Sequence, residues 1–312
     1  MARIVSLLPS ATEIVCALGF QDQLVGRSHE CDFPPEVARL PALTAPRFDP
    51  EGTSAEVNDR VRRILTDALA VYRVDAAILR ELRPDVIVTQ SQCDVCAVSL
   101  RDVEDAVAAW TGARPRIVSL APWGLADVFA DMERVAEALG APERGAEVVG
   151  GLKRRIDAIA ARAATAAHRP RVACLEWLQP LMAAGNWMPE LIEKAGAINL
   201  LGKPDQHSSW IEFAALAAAD PEVVLIAPCG FTMERTAAEL SALRESPGWS
   251  ELRAVRDGRV FLAEGNQYFN RPGPRIVESL EILAEILHPD VFRFGHQGSG
   301  WRRVTDPLHA SA

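Results

Sequence analysis

Short apolar runs alternate with segments of helical periodicity along most of this chain. Residues 3–8 read Arg-Ile-Val-Ser-Leu-Leu, a run that predicts a buried first strand. Val128, Met132, Val135 and Leu139 instead recur at the spacing of one helix face. Alternating strands and helices are typical of α/β proteins with mostly parallel sheets, which is the fold class that we predict.

The same reading predicts elements over the rest of the chain. Further strands are predicted at 24–26, 84–88, 116–120 and 259–262, and helices at 75–82, 100–110, 142–167, 189–195 and 274–287. Ser10 and Glu13 have the spacing of a capping box and predict that the first helix starts there. The run 140–142, Gly-Ala-Pro, predicts a break between two helices, because proline lacks the donor that a continuing helix needs.

Two halves of the chain use similar local units. Residues 76–88 resemble residues 213–226, and Arg-Pro-Arg-Ile-Val at 114–118 resembles Arg-Pro-Arg-Val-Ala at 169–173. A duplication and the common reuse of Pro and Asp at helix–strand joints both account for these matches. We predict an N-terminal lobe (1–140), a connecting helix (141–168), a C-terminal lobe (169–290) and a flexible tail (291–312).

Composition and charge exclude some classes of function. A formal net charge of −9 disfavours nucleic acid as a partner, since phosphate binding needs clustered Lys and Arg. No apolar run is long enough to span a bilayer, so we expect a protein that is not integral to a membrane. Met1 and Ala2 lead directly into the first predicted strand, and this start predicts a cytoplasmic protein. If a leader has been removed, we expect a periplasmic protein instead.

Several phrases and their order carry a resemblance to a known family. They are Arg-Ile-Val-Ser-Leu-Leu-Pro-Ser-Ala-Thr-Glu at 3–13, Ala-Leu-Gly at 17–19, Leu-Arg-Pro-Asp-Val-Ile-Val at 82–88, the helix at 143–167, Ala-Asp-Pro-Glu-Val-Val-Leu-Ile at 219–226, and Asp-Gly-Arg-Val at 257–260. Together they resemble the substrate-binding proteins of ABC importers for cobalamin and iron-siderophores. The resemblance implies two Rossmann-like lobes joined by one long rigid helix, a ligand held in the cleft between the lobes, and an importer permease as partner if the protein is exported.

Candidate ligand-binding residues follow the predicted strands, because clefts form outside the carboxyl ends of parallel strands. They are Pro9, Ser10, Gln90, Trp123, Glu176, Trp177, Asn186, Trp187, Trp210, Cys229, Phe231, Tyr268, Phe269, Asn270 and Arg271. The many aromatic side chains among them suit a large planar ligand, such as cobalamin, a related corrinoid or another metal chelate. The alternative is that these side chains pack beneath the loops. We expect Asn186 and Trp187 to be displayed on a loop before the helix that Pro189 opens.

The cysteines suggest a different chemistry. Cys93 and Cys96 form a CxxC pair, and His29 and Cys31 follow the second predicted strand. These four residues could bind zinc or an iron–sulfur cluster, Cys93 and Cys96 could form a redox dithiol, or the thiols could be structural. A thiolate ligating the metal of a corrinoid would unite this alternative with the first.

Enzymatic activity has little support in the sequence. There is no Gly-rich phosphate loop, no nucleophile-elbow phrase and no helical pair of metal-binding histidines. We therefore predict a small-molecule binding protein and not an enzyme. The alternatives are a metal or iron–sulfur protein or enzyme that uses Cys31, Cys93 and Cys96, and an exported importer component.

Overall fold

The computed structural model describes residues 1–66, 71–92, 100–108 and 114–305. The chain divides into two compact units. The first comprises residues 1–52, 56–122 and 126–152, and the second comprises 53–55, 123–125 and everything from 153 onward. The boundary falls inside the long helix Pro142–Ala163, after Leu152.

The first unit is built on a parallel sheet. Its elements in chain order are β1 (Ile4–Ser6), α1 (Pro9–Ala17), β2 (Leu24–Arg27), β3 (Thr44–Pro46), α2 (Ser54–Thr66), β4 (Tyr72–Val74), α3 (Ala76–Leu82), β5 (Val86–Gln90), α4 (Leu100–Ala108), β6 (Arg116–Leu120), α5 (Leu125–Ala138) and α6 (Pro142–Ala163). The strand order is β2-β1-β5-β6, and all three pairings are parallel. Strands β3 and β4 form a separate antiparallel pair.

Contiguous apolar runs form the middle of this sheet. All five residues of β5 are buried, as are all three of β1, because parallel strands are covered on both faces. Val5, Leu7, Leu79, Ile87 and Val103 belong to the core cluster beneath them. The carboxyl ends of these strands are therefore held by a rigid, packed layer.

The second unit contains a larger mixed sheet. Its elements are β7 (Arg171–Trp177), β8 (Met182–Ala183), α7 (Met188–Lys194), β9 (Ile198–Asn199), β10 (Ser209–Trp210), α8 (Phe213–Ala219), β11 (Val223–Ile226), α9 (Met233–Ala238), α10 (Leu240–Arg244), α11 (Arg253–Arg256), β12 (Val260–Ala263), α12 (Ile276–Leu287) and β13 (Trp301–Arg303). The strand order is β10-β8-β7-β11-β12-β13, with β9 beside β7. Strands β7, β11 and β12 are parallel neighbours, whereas β8, β10 and β13 pair antiparallel.

The predicted α/β class with mostly parallel strands is confirmed, and most predicted elements are present within a few residues of their predicted ends. The capping box at Ser10 and Glu13 is wrong. Helix α1 begins at Pro9, Leu8 is its N-cap residue with no side-chain cap, and Ser10 and Glu13 are buried inside the helix. Proline suits the first turn because its ring presets a helical φ and the missing donor would be unpaired there anyway.

The segment after α12 also differs from the predicted flexible tail. Phe292 and Trp301 are buried, and Trp301–Arg303 forms β13 against β12. The polar composition of 297–303 concealed this strand, since an edge strand needs to bury only one face. Residues 306–312 lie outside the described part of the chain.

Candidate functional site

Glu176 lies near the carboxyl end of β7, and its carboxylate accepts a hydrogen bond of 2.8 Å from the Ser208 hydroxyl. The same hydroxyl oxygen accepts a bond of 3.0 Å from the Gly185 N–H. Burial raises the pKa of Glu176 to about 7, although the Ser208 hydrogen bond acts in the opposite direction. The carboxyl group can therefore exchange a proton near neutral pH.

Trp177 ends β7 and belongs to a row of side chains across three strands. It pairs with Met182 of β8, and Met182 pairs in turn with Trp210 of β10. Directly paired residues of antiparallel strands point to the same face of a sheet. Trp210 is 57% exposed and Trp177 and Met182 are half-buried, so this row presents apolar surface at the end of the sheet.

The loop after β11 packs against Trp177. The rings of Trp177 and Phe231 are 5.0 Å apart, and the Arg235 guanidinium lies 3.7 Å from the centroid of the Phe231 ring. Phe231 is buried and supports Trp177 from below. Cys229 is half-buried, and its N–H donates to the Glu176 carbonyl over 3.2 Å.

The loop after β12 supplies further polar groups. Glu264 is 5% exposed; its Oε2 accepts from the Met233 N–H over 3.0 Å, and its Oε1 is buried without a partner among the described residues. Burial raises the pKa of Glu264. Asn270 donates to the Ala227 and Gly265 carbonyls, and the buried Arg271 donates to Asn266 Oδ1 over 3.1 Å. Asn270 and Arg271 therefore hold the loop in shape.

Trp187 and Phe269 lie in the interior, in contrast to the expectation that Trp187 is displayed. Trp187 is 7% and Phe269 1% exposed, and the Trp187 indole donates to the Phe269 carbonyl over 3.2 Å. Asn186, before Trp187, has a left-handed backbone with φ of 52°. Trp187 is therefore part of the interior and is not displayed on the loop.

Trp123, His207 and Tyr268 have other surroundings in the second unit. The Trp123 and His207 rings meet edge to face at 6.4 Å, and Trp123 is 37% exposed. Tyr268 is half-buried, and the Arg275 guanidinium lies 5.3 Å from its ring centroid. Trp123 thus contacts the loop before β10, and Tyr268 contacts the residue that precedes α12.

In the first unit, the candidates Pro9 and Ser10 follow β1, and the candidate Gln90 lies at the end of β5. Pro9 and Ser10 form the first turn of α1, where Ser10 is 2% exposed. Gln90 is the last residue of β5 and is 6% exposed. Their burial limits direct contact with a ligand to the half-buried Pro9 and the backbone around it. The cleft expected between the lobes stays a prediction.

The predicted metal ligands are only partly within the described residues. Cys31 is 1% exposed and its sulfur accepts from the Thr12 hydroxyl over 3.0 Å, while His29 Nδ1 lies 2.7 Å from Thr44 Oγ1. Burial, and then the charge of Arg27, lower the pKa of His29. Cys93 and Cys96 lie outside the described residues. Residues 1–66, 71–92, 100–108 and 114–305 contain no group of three His, Cys, Asp or Glu side chains that could hold a metal ion.

Three residues of the second-unit edge escaped the sequence reasoning. Ser208 was part of a polar loop with no distinguishing signal, and Met182 stands in a two-residue strand too short to predict. Glu264 stands two residues after the strand predicted at 259–262, and that position could have indicated it. Ser208 and Met182 lie at this site because sheet pairing brings distant segments of the chain together.

Comparison with known proteins gives a family match. The model of the family described as "Periplasmic binding protein" matches residues 4–266. An uncharacterized ABC transporter substrate-binding lipoprotein of Bacillus subtilis is 24% identical over 93% of this chain and 81% of its own length. A vitamin B12-binding protein of Vibrio cholerae is 23% identical over 91% of this chain and 88% of its own.

Solved structures show the same fold. The periplasmic heme-binding protein of Roseiflexus sp. RS-1, in its apo form, superposes with a TM-score of 0.69 and 23% sequence identity, over 93% of this chain and 99% of that one. At this identity the likeness speaks for the fold alone. The expectation of a cytoplasmic protein gains no support from the family description or from the lipoprotein relative. Within the described residues, no helix combines the length and apolar character that a membrane span requires.

Proposed function

Because the chain belongs to the periplasmic binding protein family, we propose that it binds a small molecule outside the cytoplasm and delivers it to an ABC importer permease. We propose further that the ligand is a planar metal chelate of the corrinoid or porphyrin class, with cobalamin as the first candidate. The protein would then act by binding and release, without catalysing a reaction.

The observation that carries the ligand proposal is the row Trp177–Met182–Trp210 at the end of the second-unit sheet. Flat, rigid aromatic side chains suit the face of a macrocycle, since they bury a large apolar area with little loss of side-chain freedom, and a flexible, polarizable thioether adapts to its shape. Phe231 beneath Trp177 keeps one ring in place. Two partners beside the row, Glu176 and Ser208, supply the polar contacts that orient a ligand.

The relatives support the same class of ligand. One relative is a vitamin B12-binding protein and one structural neighbour is a heme-binding protein, and both ligands are planar metal chelates. Both relatives are only 23% identical to this chain, so the choice between a corrinoid and a porphyrin depends on this chain's own side chains. The half-buried Glu176, whose pKa is raised to about 7, favours a ligand that offers an amide or hydroxyl donor at its periphery.

A spectroscopic titration tests this proposal. Cyanocobalamin and, separately, hemin are added to the purified protein, and binding is followed by absorbance and by calorimetry. We expect one site per chain for one of the two, and a loss of affinity of about tenfold or more in Trp177→Ala/Trp210→Ala, since such anchors contribute most of the energy of a site.

The matched control is Phe294→Ala, which removes another aromatic ring of the second unit, 40% exposed and stacked on Phe292. Its affinity should equal that of the wild-type protein. Failure of both chelates to bind, or equal losses in the control and in the double variant, would refute the proposed ligand class.

A further inference from the structure

A cavity of about 770 Å³ lies in the second unit, away from the row at the carboxyl ends of its strands. Pro170 and Arg259, which precede β7 and β12, place the cavity beside the amino ends of these strands. Its apolar wall combines side chains of the sheet, of α12 and of the loop that follows α12: Phe261, Ile286, Leu287, Val291 and Trp301. The Phe261 and Trp301 rings meet edge to face at 5.6 Å, which gives this wall a rigid aromatic part.

Two arginines also line the cavity. Arg303 pairs with Phe261 across β12 and β13, and its guanidinium lies 5.7 Å from the Phe261 ring centroid. Arg259 is half-buried two residues before Phe261, on the same face of the strand. Burial lowers the pKa of Arg259; the charge of Glu222 opposes this shift, and the positive charge of Arg303 adds to it. Both guanidinium groups line the same cavity, so the cavity carries two like charges.

The carboxylates near Arg259 are engaged by other groups. Glu222 receives Arg253 at 2.7 Å and His168 at 2.6 Å, and Asp257 lies 3.6 Å from Arg253. In the part of the chain that the structure describes, no ion pair involves Arg259 or Arg303.

The acidic residues of the cavity itself do not neutralise the arginines either. The Glu285 carboxylate accepts bonds from the Gly295 N–H, the His296 N–H and the Trp301 indole. Asp290 is exposed to solvent at the rim. The cavity thus combines an apolar wall with two guanidinium groups, and among the described residues neither group has a carboxylate within ion-pair distance.

We propose that this cavity is a second binding site, which takes an amphipathic anion with a carboxylate, sulfonate or phosphate group and an apolar body. Guanidinium groups present planar pairs of donors that match such anions. Phe261, Leu287 and Trp301 would cover the apolar body. An anion in this cavity pairs with the positive charges of Arg259 and Arg303, so charge as well as burial favours binding. The cavity shares no lining residue with the Trp177–Met182–Trp210 row or with Glu176 and Ser208.

A pair of fluorescent probes tests the proposal. Anilinonaphthalene sulfonate carries an aromatic body and one negative charge, and phenylnaphthylamine is its uncharged counterpart. We expect the wild-type protein to bind the sulfonate at one site. In Arg259→Gln/Arg303→Gln its dissociation constant should rise about tenfold, while that of the neutral amine changes by less than about twofold.

Three further variants make the result specific. Arg62→Gln/Arg63→Gln removes the same charge from exposed positions of α2 and should leave sulfonate binding unchanged. Trp177→Ala/Trp210→Ala should also bind the sulfonate normally, which separates this site from the ligand-binding row. Arg303→Gln alone, at an exposed edge position, should give a smaller loss and serves if the double variant has a lowered melting temperature.

Three results would overturn the proposal. They are unchanged sulfonate affinity in Arg259→Gln/Arg303→Gln with native melting behaviour, an equal loss in Arg62→Gln/Arg63→Gln, and equal losses of the sulfonate and the amine. The last would mean that the cavity is apolar only and has no preference for an anion.

Discussion

The Glu176 carboxylate and the Ser208 hydroxyl are joined by a hydrogen bond of 2.8 Å, although 32 residues separate them in the chain. Strand β7 carries Glu176, and the Gly185 N–H donates to the same Ser208 hydroxyl. This pair places an ionisable group at the proposed ligand-binding surface. Its protonation should therefore be visible both in stability and in binding.

The stability of the protein should depend on pH through Glu176. Burial raises the pKa of this carboxyl from 4.5 to about 7, so between these values the folded state binds a proton that the unfolded state has lost. The contribution is present below pH 4.5, falls as pH rises, and is lost above about 7, a change on the order of 2 kcal/mol.

Glu176→Gln should remove this dependence. Urea unfolding at pH 5 and pH 8 measures it, and the variant should lose less stability between the two values than the wild-type protein by about 2 kcal/mol. The exposed Glu193→Gln on α7 is the control and should behave as wild type. An identical loss in Glu176→Gln and wild type would show that Glu176 does not titrate in this range.

Two tryptophans should differ sharply in their effect on stability. Trp187 is 7% exposed and donates to the Phe269 carbonyl, whereas Trp210 is 57% exposed. Trp187→Ala should cost about 3 to 5 kcal/mol through the cavity it leaves, and Trp210→Ala less than about 0.5 kcal/mol. Trp187→Phe should lie between them, because it keeps an aromatic ring but leaves the carbonyl without its donor. Chemical unfolding measures all three, and equal costs for the two alanine variants would contradict the assignment of Trp187 to the interior.

Glu222 should stabilise the folded protein at neutral pH. Burial acts to raise its pKa, but hydrogen bonds from His168 and the Arg171 N–H and the charge of Arg253 outweigh burial and lower it. A lowered carboxyl pKa stabilises the folded state above the ordinary value of 4.5, and this stability is lost as pH falls through the lower folded value.

Glu222→Gln should therefore cost about 2 kcal/mol at pH 7 and less at pH 3. The free energy of unfolding at the two pH values measures this. The exposed Glu251→Gln is the control, for which we expect no difference at either pH. If Glu222→Gln costs the same at both pH values, the Glu222 side chain stabilises the protein through its packing and not through its charge.

Asp75 should be the cap of helix α3. Its carboxylate accepts hydrogen bonds of 3.0 Å from the N–H groups of Ala77 and Ile78. Asp75→Ala should destabilise the protein by about 1 kcal/mol, and Asp75→Asn by less. Asp157→Ala, at an exposed position inside α6, should cost nothing, because alanine is a better helix former there. Thermal unfolding compares the three variants, and no change in Asp75→Ala would exclude the cap.

The positions of the central strands could be predicted from the sequence. The apolar residues 86–88 of the strand predicted at 84–88 lie buried in β5, and the apolar run at 223–226 becomes β11 with every residue buried. Contiguous burial on both faces requires a contiguous apolar run, so local sequence carries this information directly. The family resemblance depended on these same segments and on the order in which they stand.

Local sequence did not determine which loop aromatics are exposed. Trp187 and Trp210 both stand near turn residues and gave the same signal, yet the first is buried and the second faces solvent. Asn186, before Trp187, has a left-handed backbone, whereas Trp210 belongs to the edge strand β10, and strand order is set only by the tertiary structure. The Trp177–Met182–Trp210 row likewise exists only through the pairing of β7, β8 and β10.

The sequence by itself determined the α/β class, the central strands and the family resemblance, because each follows from the local run of apolar and polar residues. The tertiary structure decided which polar groups meet. Glu176 reaches Ser208, and Arg259 and Arg303 line one cavity, because sheet pairing joins segments that are distant in the chain. Those contacts depend on strand order and register, and no single segment encodes either.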